Sequence, residues 1–156
     1  MLYYCETALS NLEVPEEISI CIYISGCTMH CPECHYPELQ KKDYGAPLSL
    51  YLNDILDAYH SMASCLCIMG EGERSDRNEL EDIACRGKER GLKTCLYSGR
   101  DTKIEPWMYR YDYVKTGSYK KKLGALDKKT TNQRMYKKTD MGYIDITSAF
   151  WNARLI

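Results

Sequence analysis

Four apolar runs, each followed within two residues by a glycine, constrain the fold of this 156-residue chain more than any other feature of its sequence. The runs cover residues 18–24, 63–69, 92–97 and 111–115, and the glycines are Gly26, Gly70, Gly99 and Gly117. In the first run, isoleucines alternate with Cys21 and Tyr23, so both faces are largely apolar, as in a central strand buried on both sides. The sequence therefore predicts four short strands, the first of them at the centre of a sheet.

Helical patterns separate the first three runs. One predicted helix has Ser49 as its N-cap, the other has Ser75, and Gly91 fits the end of the second. The apolar positions are Leu52, Ile55, Leu56 and Tyr59 in the first helix and Leu80, Ile83, Ala84 and Gly87 in the second. Strands that alternate with helices indicate parallel pairing, and four such units are too few to close a barrel of the usual ~250 residues. We predict an α/β fold of one domain, residues 1–156, built as an open partial (βα) barrel with a mainly parallel sheet.

Residues 118–140 differ from the rest, because they are polar and rich in lysine. We predict that they lie outside the core, where a partner could dock. Residues 143–147 are predicted to form a terminal strand, and Phe150 and Trp151 a terminal apolar anchor.

The overall composition excludes several classes of protein. With 44% hydrophobic and 28% charged residues, the chain has the composition of a folded soluble domain. A net charge of -1 provides no general attraction to nucleic acid or to an anionic membrane. The N-terminal residues lack the basic and apolar regions of a secretory signal, and no window approaches the ~20 apolar residues of a membrane span. We expect a cytoplasmic protein that binds neither nucleic acid nor membranes.

The number and the clustering of the cysteines indicate that the protein has a metal or redox site. There are nine, an odd number that cannot all pair in one chain, and clustered cysteines in a reducing compartment indicate metal or redox sites. Cys27, Cys31 and Cys34 form a C-x3-C-x2-C motif in a loop of about residues 26–38, directly after the first predicted strand. The loops 70–74, 98–101 and 116–118 are expected at the same edge of a parallel sheet. Of the other cysteines, Cys21, Cys65, Cys67, Cys85 and Cys95 are interpreted as packing residues.

Three thiolates cannot complete the four-thiolate set of a common iron–sulfur cluster, so one iron would keep an open position, as catalytic metal sites do. One alternative is a structural zinc site with His30 or His35 as the fourth ligand. Another is that the thiols are small buried hydrophobic groups, although the surrounding loop is polar. Zinc sites of this kind rarely follow the first buried strand of a βα series directly, so the context favours the cluster.

With this motif, the chain resembles the radical S-adenosylmethionine (SAM) superfamily, whose signature is C-x3-C-x2-C after the first strand of a partial barrel. Within the superfamily it is similar to the activating proteins of the anaerobic (class III) ribonucleoside-triphosphate reductase. The resemblance extends over nearly the whole chain, in segments 24–27, 34–35, 69–70, 97–100, 113–117, 123–127, 131–134 and 145–147. The C-terminal segments, within about residues 111–147, favour the activating family.

The resemblance implies an oxidoreductase in which Cys27, Cys31 and Cys34 hold a [4Fe-4S] cluster whose fourth iron is chelated by SAM. An electron from a donor such as flavodoxin would cleave SAM, and the 5′-deoxyadenosyl radical would take a Cα hydrogen from one glycine of the reductase large subunit. Glycine suits this role because it has no Cβ and its flanking amides delocalise the radical. The protein would supply positioning, exclusion of water and tuning of the cluster.

The resemblance also indicates the residues that would bind SAM and the partner. The candidates for SAM are Glu33, His35, Gly70, Glu71, Gly72 and Ser98, and those for partner docking are Asn132, Gln133 and Arg134. The superfamily usually has Gly-Gly-Glu after the second strand, where backbone atoms meet the SAM amino group, whereas residues 70–73 here read Gly-Glu-Gly-Glu.

Two other functions are compatible with the sequence. A radical SAM enzyme that acts on a small molecule or a peptide commonly needs more barrel to enclose its substrate, and the short C-terminal part here leaves an open mouth. A non-enzymatic metal-binding or electron-transfer module would need a fourth ligand and would not bind SAM.

Overall fold

The four apolar runs form the centre of a single eight-stranded sheet in the computed structural model, which describes residues 1–27, 37–41, 44–72 and 77–152. The strands are β1 (Tyr3–Ser10), β2 (Ser19–Ile24), β3 (Ala46–Pro47), β4 (Cys65–Met69), β5 (Lys93–Tyr97), β6 (Tyr113–Thr116), β7 (Arg134–Thr139) and β8 (Gly142–Asp145). Their order across the sheet is β3-β1-β2-β4-β5-β6-β7-β8. The four strands predicted from the sequence are therefore neighbours in space.

The sheet is parallel at its centre and antiparallel on both sides. β2, β4, β5 and β6 pair in parallel, whereas β1 pairs with β2 and β3, and β7 with β6 and β8, in antiparallel fashion. The predicted α/β class is confirmed. The prediction of a mainly parallel sheet is wrong, because four of the seven pairings are antiparallel. The architecture is an open mixed sheet and not a clear partial barrel, since two antiparallel flanks extend the parallel centre.

Both predicted helices are present. They are α1 (Leu48–Tyr59), before β4, and α2 (Arg77–Glu89), between β4 and β5. Ser49 lies inside α1 and is not its N-cap; the cap is Pro47, and the Leu48 amide donates to the Leu2 carbonyl at 2.9 Å. The other predicted cap, Ser75, lies outside the described residues. The connection from β5 to β6 contains a short 3-10 turn, Pro106–Met108, so two helical crossovers replace the four predicted units. Within the described ranges, no helix is long and apolar enough to cross a membrane.

The central strands bury different residue types on their two faces. Aliphatic side chains pack against α1 and α2, and they include Ile20, Ile22, Ile24, Leu66, Ile68, Leu96 and Val114. On the opposite face, Cys21 pairs with Cys67, and Cys67 pairs with Cys95 in the parallel ladder. These three thiols and that of Cys65 are fully buried. The prediction that these cysteines serve packing is therefore confirmed.

Part of the lysine-rich segment belongs to the sheet, contrary to prediction. β7 pairs with β6, and its Met135 is fully buried on the cysteine face. The lysines hid this strand in the sequence, because long charged side chains can reach solvent from a partly buried strand. The predicted terminal strand is confirmed as β8 for residues 143–145, whereas Thr147 lies beyond it and its Oγ1 accepts a hydrogen bond from the Met135 amide at 2.9 Å. A short helix, α3 (Ala149–Asn152), follows.

Candidate functional site

A cavity of about 480 Å³ lies at the carboxyl ends of the parallel strands. Cys27 follows β2, Gly70 follows β4, and Ser98 and Gly99 follow β5, and all four residues line the cavity. Ligand sites of α/β sheets commonly occupy this edge. The predicted convergence of the strand-end loops is therefore confirmed for β2, β4 and β5.

One register row of the sheet forms the floor of this cavity. Tyr23 pairs with Met69, Met69 with Tyr97, and Tyr97 with Lys115, and these four residues line the cavity. The row two residues earlier in each strand consists of Cys21, Cys67, Cys95 and Tyr113. The Cys67 Sγ lies 3.5 Å from the Met69 Sδ and so connects the two rows. The floor thus combines two tyrosine rings, a methionine thioether and a lysine ammonium. The row next to it contains three cysteine thiols and Tyr113.

Three segments outside the central strands also line the cavity. Their lining residues include Leu12 and Glu13 from the loop between β1 and β2, Tyr119 and Leu126 from the segment after β6, and Phe150 from α3. The Tyr97 hydroxyl donates a hydrogen bond to the Glu13 carbonyl. The Trp151 Nε1 donates to the Leu126 carbonyl at 3.0 Å. These bonds fix two of the lining segments to β5 and to α3. Phe150 packs against the core on the cysteine face, as predicted for an apolar anchor, whereas Trp151 contributes a hydrogen bond.

Cys27 is the first cysteine of the predicted metal motif, and it lies in the wall of the cavity. Its amide donates to the Leu39 carbonyl at 2.8 Å, and the Gly26 amide donates to the Lys41 carbonyl at 3.1 Å. Gly26 has a φ of +82°, a left-handed conformation that favours glycine and turns the chain out of β2. The two bonds close the base of the cysteine-rich loop. The other predicted residues of this loop, Glu33, His35, Cys31 and Cys34, lie outside the described residues.

The buried cysteines are poor candidates for metal ligands. Burial raises the pKa of Cys65 to about 12 and raises the pKa values of Cys67 and Cys95 above their ordinary range. Burial therefore disfavours the thiolate, which is the form that binds metals. Cys27, in contrast, is only partly buried. Among the residues that the structure describes, no three His, Cys, Asp or Glu side chains are grouped to hold a metal.

The donor set fits an iron–sulfur cluster at Cys27. Iron–sulfur clusters are held by cysteine thiolates, and the motif supplies three within eight residues, from Cys27 to Cys34. The first of them lies beside a cavity at a sheet edge, with space for a further ligand. The remaining two belong to the same short loop, whose base is closed by the Gly26 and Cys27 amides.

Glu71 binds another protein side chain. Its carboxylate accepts two hydrogen bonds from Arg100, from Nε at 2.9 Å and from a terminal nitrogen at 3.0 Å. The Ser98 hydroxyl donates to the same carboxylate at 2.7 Å. Arg100 also donates to Glu105, and hydrogen bonding to Glu71 raises the pKa of Arg100 above its ordinary range. The predicted site residues Glu71 and Ser98 thus bind each other, and together with Arg100 they fix the loop after β4 to the loop after β5.

The residues predicted for partner docking make contacts within the protein. Asn132 Nδ2 donates to the Ser118 carbonyl at 3.0 Å. Gln133 is buried, lines the cavity and approaches the Gly117 carbonyl at 3.5 Å. Arg134 Nε donates to Asp145 at 2.8 Å across the β7–β8 pair. In this structure the three side chains hold the end of β6 and the C-terminal hairpin.

Two residues of the cavity were missed in the sequence. Lys115 is buried, and its Nζ donates to the carbonyls of Ser98 at 3.2 Å and Gly117 at 2.7 Å. A lysine inside an apolar strand was a usable signal, because a buried lysine is rare without partners. Glu13 lies in a polar loop, where nothing in the sequence distinguishes it from the neighbouring glutamates.

Comparison with known families supports the metal assignment. A family model described as "4Fe-4S single cluster domain" matches residues 16–106, which is more than half of the chain. The chain therefore belongs to this family of iron–sulfur proteins. Comparison with curated proteins and with solved structures gives no match.

The first prediction separates the motif cysteines from the packing cysteines. Replacing Cys27, Cys31 or Cys34 by Ala should reduce the iron of anaerobically reconstituted protein from about four atoms per chain to nearly none, because a ligand is lost. Cys67→Ala should retain the iron and lower the free energy of unfolding by about 1 kcal/mol, because it leaves a small cavity. Iron analysis and urea unfolding measure the two effects.

Cys85→Ala is the matched control, because this thiol is on α2 and only partly buried. It should change neither quantity appreciably. Loss of iron in Cys67→Ala, or full iron retention in Cys27→Ala, would contradict the assignment.

Proposed function

We propose that the protein is a radical SAM activating enzyme that generates a glycyl radical on the large subunit of an anaerobic ribonucleotide reductase. Cys27, Cys31 and Cys34 would hold the [4Fe-4S] cluster. When bound and reduced by a donor such as flavodoxin, this cluster supplies the electron that cleaves the C5′–S bond of SAM. The observation that carries the proposal is the position of Cys27, where the three-cysteine motif begins in the wall of a cavity at the sheet edge.

The size and the lining of the cavity support the proposal that a second ligand binds beside the cluster. Its volume of about 480 Å³ falls in the range of small-molecule and cofactor sites. The rings of Tyr23 and Tyr97 and the thioether of Met69 exclude water from its floor, and the Lys115 ammonium complements a ligand carboxylate. At the strand-end side, Gly70 presents only backbone, which suits the close approach of a ligand.

Exposed lysines beside the cavity support the proposal that the substrate is another protein. Lys120, Lys121, Lys122, Lys128 and Lys129 are exposed, and they flank the cavity-lining residues Tyr119, Leu126 and Asp127. Positive charge around an opening attracts an acidic partner surface and orients it on approach. Because Asn132, Gln133 and Arg134 brace the end of β6 and the C-terminal hairpin, we assign the docking contact chiefly to these lysines.

A single-cluster electron-transfer protein is the second candidate, because the matching family is described by its cluster alone. An electron-transfer module needs no cavity for a further ligand beside the cluster. SAM binding therefore separates the two functions.

Gly70 generates a prediction about SAM. Its φ of +122° is strained for any residue with a Cβ, and an added Cβ would lie 3.4 Å from the Ile24 carbonyl oxygen. Gly70→Ala should therefore displace this backbone and weaken SAM binding about tenfold, while the iron content is unchanged. Equilibrium dialysis of the reconstituted protein with labelled SAM measures the effect.

Gly142→Ala is the matched control. Gly142 is the first residue of β8 and has a φ of +105°, with no other atom within 4 Å of an added Cβ. It carries similar backbone strain away from the cavity and should bind SAM as the wild type does. Equal SAM affinity in both variants would place the SAM contact elsewhere.

The protein substrate generates a further prediction. The reduced protein with SAM should produce 5′-deoxyadenosine and a glycyl EPR doublet only when the reductase large subunit is present, and none when its radical glycine is changed to alanine. Lys120→Glu combined with Lys122→Glu should weaken association several-fold, and rising salt should do the same.

Lys88→Glu, an exposed reversal on α2, controls for net charge and should have little effect. Stoichiometric turnover of a small molecule, with the large subunit left radical-free, would instead identify a small-molecule radical SAM enzyme.

A further inference from the structure

Leu12 lines the cavity and is nevertheless largely exposed to solvent. It belongs to the loop between β1 and β2, and the residue is 70% exposed. Every other described residue of the lining is buried or only partly exposed. Leu12 therefore lies at the opening of the cavity, where a molecule that approaches from solvent can reach it.

The backbone on both sides of Leu12 is held in place. The Leu12 amide donates to the Ser10 Oγ at 3.3 Å. One residue further on, the Glu13 carbonyl accepts a hydrogen bond from the Tyr97 hydroxyl, and the following residue, Val14, is completely buried. The loop thus presents the leucine at a fixed place, so a partner that covers it has little backbone to order.

The surroundings of Leu12 distinguish it from other exposed leucines. Single exposed apolar residues are common on protein surfaces and do not by themselves mark a site. The other segments outside the central strands contribute Tyr119, Leu126 and Phe150 to the same lining. Within the described ranges, none of the other large apolar residues that are exposed lines the cavity. Leu12 thus extends an apolar lining outward into solvent.

The charges beside the opening indicate the kind of partner. Residues 118–138 contain eight basic residues and a single acidic one, a net charge of +7, although the whole chain has a net charge of -1. The exposed Lys120 and Lys128 directly follow the cavity-lining residues Tyr119 and Asp127. An apolar residue beside a basic rim complements a protein surface on which an apolar side chain lies among acidic residues.

The exposure of Leu12 also indicates the size of the partner. A ligand held wholly within the cavity can cover only the part of Leu12 that faces inward. A molecule that extends out of the opening is needed to cover the rest, as a protein segment does when it enters a cavity. A concave site also fits a protruding segment better than it fits a flat lipid surface.

We propose that Leu12 is an apolar anchor for the protein substrate and packs against an apolar side chain next to the segment that enters the cavity, an inference that rests on the proposed function. The lysines attract and orient the acidic surface during approach. Burial of Leu12 then stabilises the complex through an apolar contact, which salt does not screen as it screens the contacts of the lysines.

The test measures, by calorimetry, the binding of the reductase large subunit to reconstituted protein that is saturated with SAM. Leu12→Ala should raise the Kd of the complex about tenfold, because most of the apolar area of the leucine is removed. Leu12→Met remains apolar and similar in volume, so it should raise the Kd less than about threefold. Iron content and SAM affinity should be unchanged in both variants, since the leucine lies largely in solvent.

Leu50→Ala is the matched control. Leu50 is 71% exposed, lies on α1 and does not line the cavity, so this variant should bind the large subunit as the wild type does. The loss in Leu12→Ala should persist as the sodium chloride concentration rises, and the heat capacity change of binding should become less negative. The loss caused by reversing Lys120 and Lys122 should shrink with salt, which separates the apolar contact from the charged ones.

Several results would overturn the inference. Wild-type affinity in Leu12→Ala, or an equal loss in Leu50→Ala, would show that Leu12 does not anchor the partner, while the proposed function stands. Binding of anionic lipid vesicles that is lost in Leu12→Ala, with large-subunit affinity unchanged, would assign Leu12 to a membrane surface instead. If the wild type binds SAM but not the large subunit, the protein-substrate assignment fails together with the inference. If the wild type binds no SAM, the proposed function itself is wrong, and the inference falls with it.

Discussion

The in-register parallel pairing of β2, β4, β5 and β6 is the constraint on which the site depends. It places Tyr23, Met69, Tyr97 and Lys115 in one row, although almost a hundred residues separate the first from the last. A shift of one residue in any pairing would turn that strand's cavity side chain toward α1 and α2. The register is held by the opposite face, where each fully buried aliphatic side chain contributes about 1.5–3 kcal/mol. Packing of an ordinary core against two helices therefore positions the chemistry on the other side.

The ion pair of Glu71 and Arg100 gives a physical reason for the unusual Gly-Glu-Gly-Glu sequence after β4. The Glu71 carboxylate receives three hydrogen bonds, two from Arg100 and one from Ser98. Both charged side chains are more than four-fifths buried, so the pair is screened little by solvent. Glu71 thus fixes the strand-end loops to each other, and the adjacent Gly70 still presents its backbone to the cavity.

Much of the fold follows from patterns in the sequence, and the site follows only in part. Periodicity located the parallel strands and both crossover helices, and alternation placed Cys65 and Cys67 on one face of their strand. β1 was missed because its pairing with β2 is irregular between Tyr4 and Glu6, which breaks a simple alternation. β7 was missed because its lysines conceal the buried Met135. The place of Glu13 in the cavity lining could not be predicted, because it depends on a contact between distant parts of the chain, the hydrogen bond from the Tyr97 hydroxyl to the Glu13 carbonyl.

The central claim is that SAM binds directly to an iron–sulfur cluster beside the cavity at Cys27. EPR spectroscopy of the reduced, anaerobically reconstituted protein, with and without SAM, tests this claim most directly. The proposed function predicts a [4Fe-4S] signal whose g-values change when SAM is added. It also predicts hyperfine coupling to isotopes placed in the amino and carboxylate groups of SAM, because those groups would bind the iron that no cysteine holds. A cluster signal that is unaffected by SAM, or a protein that holds zinc and no iron, would contradict it.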